Sequence, residues 1–317
     1  MSIFSYPGKP AEIRETGGKV AGNLRESLLS FPSWVKSPYP ENNRVYLEIL
    51  EPKNPRAAIL VIHPWMEGNY GYSKKLAYAL AGENFISVRM HLPYHLKRTP
   101  AGSSNGALFL SLDLETSLDS FVQSVIDLRT SIDILQEKYP GLNIGAAGIS
   151  LGAIILLTLT AVEKRIHCGV SILGAGNITD IVAKGAGTIP LIISAYRKGL
   201  RWRHYRQVHQ EFEDFLSEVR EKGLDRVKPP RWKWFLYDPL TYAEKNRKVL
   251  FINALFDLVI PLPCVLRTWK AFGKPPLYWI PSSHFTAWIF FPLIRREILK
   301  FFKAHCPARL SSVVSSG

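Results

Sequence analysis

The pentapeptide Gly148-Ile149-Ser150-Leu151-Gly152 sets a hydroxyl between two glycines, where a short apolar run (143–148) gives way to a longer one built of helix formers (151–162). A serine on the turn between a buried strand and a buried helix has the setting of a nucleophile elbow. The glycines remove Cβ atoms where strand and helix crowd together, so the turn can hold Ser150 at a strained angle with its hydroxyl exposed. A serine hydroxyl is a weak nucleophile at neutral pH. It needs a base within hydrogen-bond reach, and the base needs an acid to orient it.

In an open α/β sheet such groups belong at the carboxyl ends of strands. The segment KVLFINALFDLVIP (248–261) carries Asp257 just past an apolar strand, and PPLYWIPSSHFT (275–286) carries His284 in the same position. Nucleophile, acid and base thus follow one another in the order Ser, Asp, His. The rivals are weaker. Asp238, in YDPLTY, falls in or at the exit of a region read as an insertion, as do His204 and His209. His63 orders its loop by side-chain hydrogen bonding, while His91 and His95 follow an earlier strand and are candidates to line the substrate cleft. None of these histidines has carboxylates at metal-ligand spacing, so neither a metal nor a cofactor is expected. Trp65, Met66, Trp202, Trp232, Trp234 and Phe235 are candidates for an apolar acyl pocket, set against plain core packing.

The elements that must position these residues alternate. Strands are expected at 44–50, 57–62, 85–90, 143–148, 168–173, 248–253 and 277–280, and helices at 72–81, 116–137, 151–162, 263–272 and 286–304, the last interrupted near Pro292. Alternating strands and helices imply an α/β protein with a doubly wound, mostly parallel sheet. Leu24, Leu28, Leu29, Phe31 and Trp34 read as a short amphipathic helix packed on the body. The expected division is an N-terminal lead (1–43), a core (44–174 and 247–305), a helical cap insertion (175–246) and a flexible tail (306–317).

From about Arg44 to Ala304 the chain resembles the α/β-hydrolase superfamily. The resemblance rests on Gly148-Ile149-Ser150-Leu151-Gly152, the strand ends carrying Asp257 and His284, and VIHPWMEG (61–68), which is similar to the family's His-Gly oxyanion segment. It implies an α/β-hydrolase fold with a helical cap and the chemistry of a serine hydrolase cleaving a carboxylic ester. In that chemistry Ser150 is nucleophile, His284 is general base and then acid, and Asp257 holds the imidazole. The oxyanion donors implied are the Leu151 amide and one from the loop after His63. Pro64 replaces the usual glycine and has no N–H, so Trp65 is favoured, with Met66 next. An acyltransferase or peptidase with the same triad, and a non-catalytic lipid- or partner-binding relative, are the alternatives.

Composition narrows the classes. Of the 317 residues, 47% are hydrophobic and 21% charged, the balance of an ordinary globular chain. A formal charge of +14 accompanies no recognisable nucleic-acid module, so no nucleic-acid partner is expected. The basic stretch Tyr196–Gln210, with Arg201 and Arg203, suggests an anionic or lipid-like ester, or peripheral membrane contact. No apolar core of signal-peptide length opens the chain and no run makes a membrane span, so a cytoplasmic protein is expected. Cys168, Cys264 and Cys306 are expected to be reduced and structural. Oligomeric state is not legible.

Overall fold

A computed structural model describes residues 3–110, 114–186, 202–243 and 248–307. Nine strands form one sheet in the order β1-β2-β3-β5-β4-β6-β7-β8-β9. The strands are β1 (Arg14–Ala21), β2 (Leu24–Pro32), β3 (Arg44–Pro52), β4 (Ala57–Ile62), β5 (Phe85–Met90), β6 (Ile144–Ile149), β7 (Ile166–Ile172), β8 (Val249–Ala254) and β9 (Leu277–Ile280). From β5 to β9 the six neighbouring strands run parallel, and β1, β2 and β3 add an antiparallel edge.

The parallel strands read as unbroken apolar runs because both of their faces are covered. In β4, Ala58, Leu60 and Ile62 enter one core, while Ala57, Ile59 and Val61 enter the other. The first core packs against α2 (Leu114–Lys138) and α3 (Leu151–Val162); the second packs against α1 (Tyr72–Ala81) and α7 (Phe291–His305). Helix α3 is buried at every position from Leu151 to Ala161, which explains why it is apolar all round. Helix α6 (Leu262–Ala271) follows β8. Pro292 sits in the first turn of α7 after a short 3-10 turn. There its missing N–H costs nothing, so it starts the helix and does not interrupt it.

The lead differs from expectation. Leu24 to Phe31 is strand, not amphipathic helix, and the hairpin β1–β2 extends the sheet ahead of residue 44. Ser27, Leu29 and Phe31 are buried in alternation, and the two-residue turn Gly22-Asn23 joins the strands, with Gly22 at φ 63°.

In the region read as a cap, the described residues form α4 (Ile178–Lys184), α5 (Trp202–Lys222) and short 3-10 turns. Helix α5 buries Phe212, Phe215, Leu216 and Val219 on one stripe. Residues 196–201 of the basic stretch and the side chain of Arg203 lie outside the described residues. Cys168, Cys264 and Cys306 are buried free thiols, with the Cys168 and Cys306 sulfurs 2.9 Å apart where the end of α7 meets β7. Among the described residues no helix is long and apolar enough to cross a membrane.

Candidate active site

Strand β6 ends at Ile149 and α3 begins at Leu151, so Ser150 alone makes the turn, at φ 52° and ψ −114°. That is a strained conformation for a residue with a side chain. Its amide donates to the Ile172 carbonyl at 2.8 Å, and its carbonyl accepts from Ala153 at 2.8 Å. A Cβ on Gly148 would lie 2.2 Å from the Gly152 carbonyl oxygen; one on Gly152 would lie 2.2 Å from the Ile62 oxygen and 2.7 Å from that of His63. Both neighbours are backbone and cannot swing aside. Gly152→Ala is therefore expected to cost about 1–3 kcal/mol, the range for overpacking, read as a lowered urea midpoint. A wild-type midpoint would mean the elbow and β4 are not packed this closely.

Around Ser150 the chain brings together the two groups expected from sequence. Ser150 Oγ donates to His284 Nε2 at 3.0 Å, and His284 Nδ1 donates to Asp257 Oδ2 at 2.7 Å. Asp257 Oδ1 accepts the Val259 and Ile260 amides at 2.8 and 2.9 Å, which fixes the carboxylate plane. His284 and Asp257 are buried, while Ser150 is half-buried and reachable. An imidazole held this way can take the serine proton on Nε2 while its other nitrogen stays paired with a carboxylate. The Leu151 amide opens α3 and is among the helix's first N–H groups, which have no intrahelical acceptor.

Two buried histidines, His63 and His95, hold the loop after β4, and a third, His91, is buried at the end of β5. His63 Nδ1 donates to the Pro64 carbonyl at 2.7 Å, and its Nε2 accepts the Leu92 amide at 3.1 Å. His91 Nε2 donates to Glu48 at 3.1 Å. His95 Nδ1 donates to the Pro93 carbonyl at 2.8 Å, and its Nε2 accepts the Met66 amide at 3.1 Å. His63 thus orders the loop as expected. His91 and His95 do not line a cleft: at 1% and 0% exposure they are scaffold. The Met66 amide is committed to His95, which leaves Trp65 of the two residues expected to supply the oxyanion donor.

All three rings favour the neutral form. Burial holds His63 well below its usual range, with His95 adding to the effect; burial lowers His91 against the pull of Glu48; and burial pushes His95 down to about 4. Below about pH 6.5 the unfolded chain takes up a proton on His95 that the folded chain refuses until about pH 4. Stability from this site is complete above pH 6.5 and is lost as pH falls through that window. His95→Gln is expected to flatten the fall by up to one proton, about 1.4 kcal/mol per pH unit. Urea midpoints from pH 7 to 4 check this; parallel curves for the two proteins would refute it.

The remaining candidates lie elsewhere. Asp238 is fully buried and accepts the Asn177, Ile178 and Leu240 amides, so it caps turns. Trp234 and Phe235 pack in the core with Phe212. Trp65 is partly buried, its indole donating to Gly106, and Met66 is half exposed. Trp202 begins α5, and its side chain lies outside the described residues. Beside Asp257 a cleft of about 450 Å³ is lined by Leu255, Phe256, Leu258, Pro261, Leu262 and Lys184. Phe256 and Leu258, flanking the acid, and Phe285, following the base, are 66%, 72% and 76% exposed, so large apolar side chains stand at the surface next to Asp257 and His284 in the chain. A larger hollow of about 690 Å³ between α5 and α6 touches none of the three triad residues.

Sequence reasoning missed the support beneath this loop. Arg89, 1% exposed, donates to Ser73, Glu48 and the Gly68 carbonyl, and Glu67 accepts from the Ser73 amide and hydroxyl. Burial works to raise the Glu48 carboxyl, but the His91 hydrogen bond and the Arg89 charge outweigh it and hold it at about 2. A lone arginine inside the apolar strand FISVRM was the available signal.

No family model matches the chain. Uncharacterized proteins from two Mycobacterium tuberculosis strains are each 24% identical over 249 residues, 78% of this chain and 54% of theirs. The chain thus spans about half the length of the curated relatives it matches. Solved structures share its architecture at low identity. An acetyl xylan esterase from Paenibacillus sp. R4 superposes with a TM-score of 0.62 at 13% identity, over 93% of this chain and 88% of that one. An esterase of Pyrococcus furiosus gives 0.57 at 16% over 94% and 99%, and a cold-adapted esterase from an Arctic intertidal metagenomic library gives 0.58 at 13% over 91% and 97%. The fold is that of the α/β-hydrolases.

Proposed function

We propose that the chain is a serine hydrolase that cleaves carboxylic esters. The observation that carries this reading is the unbroken hydrogen-bonded chain from Ser150 through His284 to Asp257 at a strained strand-to-helix turn. The esterases among its structural neighbours support the choice of esters. In the reaction, Ser150 Oγ attacks the acyl carbon as His284 Nε2 takes its proton. The carbonyl oxygen, now anionic, is met by the Leu151 and Trp65 amides. His284 returns the proton to the departing alkoxide, leaving an acyl-serine. Water, deprotonated by the same nitrogen, then releases the carboxylic acid and restores Ser150. Asp257 keeps the imidazole in the required tautomer and stabilises its cation.

The exposed apolar side chains Phe256, Leu258 and Phe285 beside Asp257 and His284 in the chain support uncharged acyl or alcohol groups. The expected result is covalent labelling by a fluorophosphonate and hydrolysis of p-nitrophenyl esters with an optimum in acyl length. A folded protein that takes up no probe and hydrolyses no ester of the panel would sink this reading.

A further inference from the structure

We infer that the loop following β5, residues 91–110, clamps the oxyanion loop in its working shape, with His95 and Asn105 as positioning residues; the inference rests on the esterase reading above. Three consecutive residues of the oxyanion loop are held, each through a different group. The Trp65 indole donates to the Gly106 carbonyl at 2.8 Å, the Met66 amide donates to His95 Nε2 at 3.1 Å, and the Glu67 carbonyl accepts from Asn105 Nδ2 at 3.0 Å. The clamp is itself braced. Asn105 Oδ1 accepts the Leu96 amide at 2.7 Å, the Gly106 amide donates to the Tyr94 carbonyl at 2.8 Å, and His95 Nδ1 donates to the Pro93 carbonyl at 2.8 Å.

The backbone on both sides of the contact is strained. Met66 sits at φ 59°, Tyr94 at 63° and Leu96 at 54°, in the left-handed region that side chains resist. Such conformations persist only when their surroundings over-determine them. Gly106, at φ 75°, closes the fit: a Cβ there would lie 2.3 Å from His95 Nε2, the atom that accepts the Met66 amide. Trp65 is therefore held through its side chain and through the peptide that follows it, and its own amide keeps one direction. An oxyanion donor acts by being aimed before charge develops. His95 is 0% exposed and touches no substrate; it works through Met66.

The test compares one ester with its thiono analogue, in which sulfur replaces the carbonyl oxygen. Aimed N–H donors favour the developing oxyanion, so loss of aim slows the oxo ester more than the thiono ester. Asn105→Asp, nearly isosteric, turns the donor to Glu67 into an acceptor; His95→Leu removes the acceptor for Met66; His95→Gln restores one. Both disruptive variants are expected to lower kcat for the oxo ester by about 10- to 100-fold, less than outright loss of a donor, with KM little changed and the oxo-to-thiono ratio narrowed. His95→Gln is expected to recover most of the ratio. If His95→Leu does not fold, Asn105→Asp carries the test alone. Equal loss on both esters, or an unchanged ratio in folded Asn105→Asp, overturns the clamp while the esterase reading stands. A folded wild type that hydrolyses neither ester and takes up no fluorophosphonate overturns that reading and the clamp's role with it.

Discussion

Replacing Ser150 with alanine is expected to lower kcat/KM on the best p-nitrophenyl ester by about 10⁴- to 10⁶-fold, the scale seen when a triad nucleophile is removed, and to abolish fluorophosphonate labelling. The loss should be one of chemistry alone. The strain at Ser150 lies in its backbone angles, which alanine inherits, and the Ile172 hydrogen bond uses the amide, which alanine keeps. Unfolding free energy should therefore move by less than about 1 kcal/mol, as for substitutions that remove no cavity-filling or charge-pairing group. Asp257→Asn gives the companion result. It retains an acceptor for the Val259 and Ile260 amides but can turn an N–H toward His284 Nδ1, favouring the wrong tautomer, and a loss of about 10⁴-fold is expected. Residual hydrolysis within tenfold of wild type in Ser150→Ala would show that the serine is not the nucleophile.

Sequence reasoning reached the grouping of Ser150, Asp257 and His284 because each follows within a few residues of an apolar strand, a local pattern that needs no knowledge of distant contacts. The bounds of β4, β9 and α1 coincide with the sequence reading for the same reason: each is a single run closed by proline, glycine or a change of period. The antiparallel edge was hidden. Leu24 and Leu28 stand four apart and mimic a helix face, while the strand period lies in Ser27, Leu29 and Phe31, one of them polar. The Gly22-Asn23 pair was the contrary signal, since such a dipeptide between strands marks a tight hairpin. The support of the loop after β4 was illegible for another reason. Asn105 meets Glu67 and His95 meets Met66 across separations of 38 and 29 residues, and no local period encodes a pairing of that kind.

The buried cluster behind the clamp is the extreme case of that illegibility, and it carries the largest expected effect on stability. Asp127, on α2, and Arg98, in the turn after β5, are both fully buried and joined at 2.8 Å. Asp127 also accepts the Ser33 hydroxyl at 2.7 Å; Arg98 donates to the Asn42 carbonyl at 2.7 Å and to that of His91 at 3.2 Å. Asn42 in turn donates to Gln123 at 2.9 Å and accepts the Tyr94 amide at 2.9 Å. One polar knot thus ties the end of β2, the turn before β3, helix α2 and the loop that bears His91 and His95. Burial opposes charge on both partners, lowering Arg98 and raising Asp127, so each ion depends on the other. Asp127→Ala leaves a guanidinium, which cannot shed its proton, facing only carbonyl oxygens. It is expected to cost about 3–5 kcal/mol in urea unfolding, the range for breaking a buried pair from one side. Arg98→Met with Asp127→Leu removes both charges at once and should cost clearly less than the sum of the single replacements. Additive costs, or a loss below about 1 kcal/mol for Asp127→Ala, the scale of an exposed pair, would mean that water reaches the knot and that the pair does not brace the loop.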